Sequence, residues 1–407
     1  MIFRKFLIIL LLIILVSTTI YVFWASHLNT EVKTYGTSGE NVQSISDSQY
    51  VLSPLDAVVD PVNHYLYVAT ENGSYIGFVA VVNITNDKVI KYIDLHQELS
   101  DGTDNIITVD PSSNDVFVLN SLTGDVLVID ANTNILIKNI TGLGGIWSAI
   151  YDRYTNNIYV TSGKFISVIN GSNNSLAGRI SIGYKTQSIT LDTINHDLYV
   201  ALYTPPFFNV TRIAVVNVST NKVIEYINVS SYLTLRYILF NPYNKYVYAS
   251  LLNCSSVIIN PMKNNSIERV NFSKNFYYGV FVNMAVNSLN GNVYITKYVL
   301  PDSYRLVITT SSTNFSSLKY ATIPNLSAYF VTYDSQNNKV YVGNQENITV
   351  ISGSNNTTIG TIEFVQPHHV SLLSRLELPL IVVGVSFAAA AIAVGVLFMR
   401  KKKWNRT

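Results

Sequence analysis

The sequence predicts an all-β fold: a seven-bladed β-propeller of four-stranded antiparallel blades, flanked by N- and C-terminal transmembrane helices. Three observations carry this expectation. A short residue pattern recurs seven times, each recurrence holds four strand-like runs, and apolar stretches of 20 and 22 residues lie outside the repeats.

The recurring pattern places an Asp or Asn seven residues before an aromatic, as Asp60/Tyr67, Asp110/Phe117, Asp152/Tyr159, Asp192/Tyr199, Asn241/Tyr248, Asn287/Tyr294 and Asp334/Tyr341. Spacings of roughly 40 to 50 residues indicate an array of similar structural units. In the second repeat the strand-like runs are 105–110, 115–120, 124–130 and 135–140. Short runs rich in Val, Ile and Thr, separated by turn residues, read as an antiparallel meander. The third run returns as Val79-Ala80-Val81-Val82-Asn83, Ile166-Ser167-Val168-Ile169-Asn170 and Ile213-Ala214-Val215-Val216-Asn217. One such sheet cannot bury both faces alone, so the units must stack. Radial stacking of seven sheets leaves only short, protected edges.

The repeated acidic residues have a local reason. An Asp or Asn at a strand end bonds backbone N–H groups of the following turn, and a second Asn three or four residues on completes it. Asn63, Asn114, Asn156, Asn195, Asn244, Asn290 and Asn337 stand at that place. Five Asp and two Asn could form a metal-binding crown, but turn chemistry accounts for them better. The repeated aromatic is read as packing between blades.

The segments Asp110-Pro111, Tyr159-Val160-Thr161, Val128-Ile129-Asp130 and Thr133-Asn134 resemble the YVTN-type seven-bladed propellers, many of them archaeal surface proteins. The resemblance spans nearly the whole repeat region and implies the fold and a surface setting. It implies no activity, since one fold hosts many functions. Phe117, Tyr248-Ala249 and Tyr294-Ile295 depart from the pattern.

Composition limits the function classes. Charged residues are 13% of the chain, the net charge is +2, and Tyr is abundant at 28 residues. A weak positive charge, much of it in the terminal clusters and not in the repeats, argues against nucleic acid as a partner. The single cysteine, Cys254, rules out an intramolecular disulfide.

Residues 6–25 are mostly apolar behind Arg4 and Lys5, and residues 378–399 precede Arg400-Lys401-Lys402-Lys403. Each run is long enough to cross a hydrocarbon core of about 30 Å. Basic flanks remain on the cytoplasmic side. The expected location is therefore the cell membrane, with the propeller outside and the C-terminal tail inside. The first run is a signal anchor or a signal peptide, and the anchor is favoured because Phe23 is bulky at the place a cleavage site before Ser26 needs a small residue. The expected organisation is an anchor at 1–26, a polar linker at 27–54, the propeller at 55–366, a stalk at 367–377, a membrane helix at 378–399 and a basic tail at 400–407.

No catalytic constellation emerges. His27, His64, His96, His196, His368 and His369 have no zinc-ligand spacing. Asp101-Gly102-Thr103-Asp104-Asn105 lacks the twelfth-position Glu of a calcium loop, where Ser112 stands. The carboxylates form no repeated pair for acid/base work. Of the three tryptophans only Trp147 lies within the repeats. The chain is expected to need no cofactor or metal and to be no enzyme. The rival expectation is a propeller enzyme of the lactonase or lyase kind, with a site on the central channel.

Two residue sets remain as candidates for function. Sixteen Asn-x-Ser/Thr acceptor patterns occur before the second apolar run. Eight of them, Asn83, Asn170, Asn173, Asn217, Asn264, Asn314, Asn355 and Asn356, fall near turns between third and fourth strands. The others are Asn72, Asn139, Asn209, Asn228, Asn253, Asn271, Asn325 and Asn347. The second set is aromatic: Tyr184, Tyr232, Phe276, Tyr277, Tyr278 and Tyr329, on connections between blades. Aromatics on variable loops over a rigid scaffold suit a binding surface. The resulting expectation is a membrane-anchored, non-catalytic surface module for binding, adhesion or surface-layer association, whose partner is a protein or glycan. The loops between second and third strands are expected to be shortest in repeat seven and longest near 203–209 and 297–305.

Overall fold

The computed structural model describes residues 50–99, 106–203, 211–230, 234–251, 255–271, 279–299, 303–309, 320–323 and 328–366. The chain divides into compact units at 1–48 and 49–407, and the described residues all belong to the second. The unit opens with the short β1 (Tyr50–Val51). Blade 1 is β2 (Ser53–Asp60), β3 (Tyr65–Glu71), β4 (Ile76–Asn83) and β5 (Lys88–Glu98). Blade 2 is β6 (Ile107–Asp110), β7 (Asp115–Asn120), β8 (Asp125–Asp130) and β9 (Ile135–Ile140). Blade 3 is β10 (Ile146–Asp152), β11 (Asn157–Ser162), β12 (Phe165–Asn170) and β13 (Ser175–Ser181). Blade 4 is β14 (Thr186–Asp192), β15 (Asp197–Leu202), β16 (Thr211–Asn217) and β17 (Lys222–Ser230). Blade 5 is β18 (Leu235–Asn241), β19 (Tyr246–Leu251), β20 (Ser255–Asn260) and β21 (Ser266–Asn271). Blade 6 is β22 (Gly279–Val286), β23 (Val293–Val299), β24 (Ser303–Thr309) and β25 (Tyr320–Ile323). Blade 7 is β26 (Phe330–Asp334), β27 (Lys339–Gly343), β28 (Asn347–Ser352) and β29 (Thr358–Glu363), and β30 (Val365–Gln366) follows it.

Each blade is a four-stranded antiparallel meander in chain order. The first strands, β2, β6, β10, β14, β18, β22 and β26, neighbour one another in a ring that closes between β26 and β2. The protein is thus a seven-bladed β-propeller, and every blade keeps its own four strands.

Burial explains why middle strands read as continuous apolar runs. All six residues of β7 are buried, whereas β9, an outermost strand, is exposed along most of its length. A middle strand meets a neighbouring blade on both faces, which removes the alternation expected of a half-solvated sheet. Apolar clusters fill every gap between successive blades, the last of them joining blades 7 and 1 through Phe330, Tyr341, Val68 and Ala80.

The first and last described strands meet. β1 pairs antiparallel with β30, setting Tyr50 opposite Gln366 and Val51 opposite Val365. Leu52 and Phe364 bury themselves beside this clasp in the cluster between blades 1 and 7. β1 is a strand within the segment read as linker, and β2 begins at Ser53.

Two loop expectations are corrected. The shortest connection between second and third strands is in blade 3, where only Gly163 and Lys164 join Ser162 to Phe165. In blade 6, Lys297 and Arg305 are ladder partners, so the strands extend through most of the expected long loop. Among the described residues the one helical element is the short 3-10 turn Pro261–Lys263, and no helix is long and apolar enough to cross a membrane. The apolar runs 6–25 and 378–399 lie outside the described residues.

Candidate binding face on blades 3 and 4

The meander gives the propeller two unlike faces. One carries the turns from first to second and from third to fourth strands. The other carries the second-to-third connections, the connections between blades and the clasp of β1 with β30.

On the turn face, the repeated Asp and Asn side chains are consumed by backbone. Asp60 Oδ1 accepts from the N–H groups of Val62 and Asn63, and Asn63 Nδ2 donates to Asp60 Oδ2 at 2.8 Å. Asp192 and Asp334 repeat the arrangement with Asn195 and Asn337. In blades 2 and 3 the hydroxyls of Ser113 and Thr155 take the place of that amide. Asn114 and Asn156 instead hold the left-handed position one residue later, with φ of 59° and 53°. The expected second Asn thus has two distinct roles. All seven Asp/Asn side chains are buried, and these bonds offset their desolvation. Among the described residues no group of three or more His, Cys, Asp or Glu could hold a metal ion.

The repeated aromatics lie beneath these turns, fully or almost fully buried. Four tyrosines bond to the next blade. Tyr67 donates to Asn134 Oδ1 at 2.8 Å, Tyr199 to Asn265 at 2.7 Å, Tyr294 to Asn356 at 2.7 Å and Tyr341 to Asp87 at 3.0 Å. Each acceptor sits in the left-handed region of a turn between third and fourth strands. Tyr159 and Tyr248 pair within their own blades, with Thr155 and Asn244. Burial pushes the hydroxyl pKa values of these tyrosines up, so they remain neutral donors or acceptors.

The opposite face differs from blade to blade, and blades 3 and 4 concentrate rings and cations on it. Lys185 Nζ lies 5.3 Å from the Trp147 ring centroid and 5.1 Å from that of Tyr203. The Arg212 guanidinium lies 5.1 Å from the Tyr184 ring, which meets Tyr226 edge to face at 5.6 Å. The Tyr226 hydroxyl donates to Ile182 O, fixing that ring against the connection between blades. Tyr184 is 42% exposed, Tyr203 37% and Phe165 40%. Lys164, Arg179 and Lys185 are exposed around them. No Asp or Glu occurs in the described segments that build this side, 141–148, 161–166, 179–188, 200–203, 211–213 and 227–230. On blades 1 and 2 the same face instead carries Glu71, Glu98 and Asp125, at the ends of β3 and β5 and the start of β8.

Of the aromatics named from sequence, Tyr184 belongs to this patch. Tyr329 is half-buried against the cluster between blades 1 and 7, and its backbone bonds Gly343 and Thr296. Tyr232, Phe276, Tyr277 and Tyr278 lie outside the described residues. The sequence reading did not assemble Trp147, Lys185, Tyr203 and Arg212 into one patch. Lys185 beside Tyr184 on a connection between blades was the available signal. Its partners, Trp147 on β10, Tyr203 just after β15 and Arg212 on β16, meet it only in the folded ring.

Among the acceptor patterns, Asn173 and Asn355 are exposed, and each Oδ1 accepts from the N–H and hydroxyl of the Ser or Thr two residues on. This leaves their amide nitrogens free for modification. Asn217 differs: its Nδ2 donates to Asp197 Oδ1 at 3.1 Å. Asn83 and Asn170 end third strands and Asn264 lies in a third-to-fourth-strand turn, all on the turn face, while Asn72 lies in a second-to-third turn and Asn139, Asn228 and Asn347 near strand ends at the opposite face. Asn356 accepts from Tyr294. Asn209, Asn253, Asn314 and Asn325, and the side chain of Asn271, lie outside the described residues.

The chain matches no protein-family profile and no curated protein sequence. Solved structures share its fold. The hydrazine synthase of Kuenenia stuttgartiensis superposes with a TM-score of 0.64 at 17% identity, over 77% of this chain and 99% of that one. The β-propeller domain of Cps50 (Swd1) from Myceliophteria thermophila superposes with a TM-score of 0.58 at 9% identity, over 74% of this chain and 96% of that one. At such identities the likeness establishes the propeller fold alone.

Proposed function

We propose that this chain is a membrane-anchored propeller displayed on the outer side of the cell membrane, where it acts as a non-catalytic binding module related to the YVTN-type surface proteins. The observation that carries the reading is the patch on blades 3 and 4. Exposed rings and four cations stand together, without an acidic residue in the segments that build it, on a closed and rigid ring. Cations held over aromatic faces present positive charge and flat apolar surface at once. That combination recognises anionic partners such as acidic glycans or acidic protein surfaces. The apolar runs 6–25 and 378–399, with their basic flanks, support the anchored topology. Acceptor patterns spread over the blades support an exterior setting.

The test combines topology with binding. Protease added to intact cells is expected to cut the propeller while leaving the C-terminal tail protected. Full-length chain in nanodiscs of neutral lipid is expected to bind acidic surface glycans or glycoproteins, and Lys185→Glu with Tyr203→Ala to abolish the binding. A propeller protected inside the cell, or binding indifferent to both substitutions, would overturn the reading. Mass spectrometry of the purified chain is expected to find glycan on Asn173 and Asn355 and none on Asn217, whose amide nitrogen is engaged by Asp197.

A further inference from the structure

Both ends of the propeller leave from the face that carries the basic aromatic patch, because β2 begins there and β29 ends there. The clasp of β1 with β30 holds the exits side by side. Only 11 residues, 367–377, separate β30 from the apolar run that starts at Leu378. Fully extended, they reach at most about 40 Å. Once the run at 378–399 is in a bilayer, this face is therefore held close to the lipid surface and the turn face is directed away from it.

The chemistry of the tethered face matches that surface. Phe165, Tyr184 and Tyr203 are amphipathic or apolar rings left more than a third exposed. Aromatic rings of this kind settle at the level of lipid headgroups. Lys164, Lys185 and Arg212 stand among them, and basic side chains are drawn to a bilayer surface that carries anionic headgroups. The acidic residues Glu71, Glu98 and Asp125 lie on blades 1 and 2, so the face is polarised and an anionic surface would draw blades 3 and 4 toward it.

We propose that the patch on blades 3 and 4 docks on the anionic headgroups of the bilayer that anchors the chain, so that the propeller is held at three places: two chain ends and one flank. This deepens the function proposed above and rests on its anchored topology and its choice of binding face. It makes the patch a lipid contact that sets the tilt of the propeller and presents the turn face, with Asn173 and Asn355, to the exterior.

Trp147 is a built-in probe. With Trp24→Phe and Trp404→Phe it becomes the sole tryptophan of the full chain. The double variant is reconstituted in nanodiscs of phosphatidylcholine alone or mixed with phosphatidylglycerol, each containing a headgroup-nitroxide lipid. Quenching of Trp147 emission is expected in the anionic discs and several-fold less in the neutral ones. It is expected to be relieved by about 0.5 M salt and by K164E/K185E/R212E, whose melting temperature should match the parent. No quenching, or equal quenching in both lipids, overturns docking. If acidic oligosaccharide shifts Trp147 emission while the discs do not quench it, docking falls and the binding-module reading stands. If alkaline carbonate strips the chain from membranes, the anchored topology itself falls. A glycan found on Asn228, whose Oδ1 accepts from Arg212 at 3.2 Å, would stand between patch and bilayer and also overturn docking.

Discussion

At the scale of single residues, Phe117 shows what the repeated tyrosine hydroxyl contributes. In blade 2 the aromatic has no hydroxyl, and Asn174, at the matching left-handed turn of blade 3, keeps a buried Oδ1 without a hydrogen-bond partner. An intramolecular hydrogen bond is worth about 0.5–1.5 kcal/mol net, and an orphaned buried acceptor costs more. Phe117→Tyr is therefore expected to stabilise the protein by about 1 kcal/mol, and Tyr67→Phe to destabilise it by a similar amount. Urea denaturation of both variants checks the pair. Asp115 and Asp197 set a pH dependence. Burial, partly countered by Asn174 and Asn217, raises both carboxyl pKa values above the ordinary range. The folded state then keeps these protons to higher pH than the unfolded chain, whose aspartates titrate near about 3.9. Their contribution is fully present below that value and declines as pH rises through the raised values. Denaturation at several pH values should show that D115N/D197N flattens this decline and gains stability near neutrality. A pair of variants with the wild-type slope would contradict the assignment.

At the scale of the element, the innermost strands carry bulges, and specific side chains close them. In β10 the register shifts between Ile146 and Ala149, and Thr161 Oγ1 accepts from the freed Ser148 N–H at 3.0 Å. Thr161 Oγ1 also donates to Gln187 O of blade 4. Ser250 and Thr296 repeat the device for Tyr237 and Asn283. The Thr of Tyr-Val-Thr thus plugs a bulge and ties one blade to the next. Replacing Thr161 or Thr296 by Val keeps shape but leaves a buried N–H unpaired, at a cost of about 1–3 kcal/mol. Gly343 occupies the same strand position in blade 7, where a Cβ would overlap the Phe330 ring. Gly343→Ala is expected to cost about 1–3 kcal/mol through forced displacement of that ring, measurable by thermal melting.

At the scale of the whole molecule, the ring depends on one closure, and its chemistry is distinctive. Lys339 Nζ meets Asp87 Oδ2 at 2.7 Å, and Asp87 also accepts from Tyr341. Gln336 donates to Pro61 O at 2.6 Å, and the β1–β30 clasp covers the seam. Both members of the ion pair are mostly buried, 15% and 24% exposed. Asp87→Ala removes the acceptor of Tyr341 and the carboxylate partner of Lys339, which keeps its bond to Ile84 O, and is expected to cost about 1–3 kcal/mol. Because no strand is exchanged between blades, loosening this seam should also raise proteolysis at blades 1 and 7 before blades 3 and 4. Limited digestion followed by peptide mapping distinguishes that order from global unfolding.

Residue pattern alone was enough for the repeat count, the strand order within a blade and the turn role of Asp60 and its six counterparts. These are local properties: side chain to backbone within a few residues, and apolar runs that need a second sheet. In repeat two it placed Asp115–Asn120 and Ile135–Ile140 to the residue. It could not show that Asn114 and Asn63 serve different turn positions, because that depends on which residue adopts positive φ. It could not gather Trp147, Lys185, Tyr203 and Arg212, which lie on two strands and two connections and meet only when blades 3 and 4 pack. Nor could it identify Asp87 as the partner of Lys339, at opposite ends of the repeat array, since only closure of the ring brings them within bonding distance. Periodicity along a chain reports contacts of short separation. The patch and the seam are made by long-range packing, and the tertiary structure alone decides them.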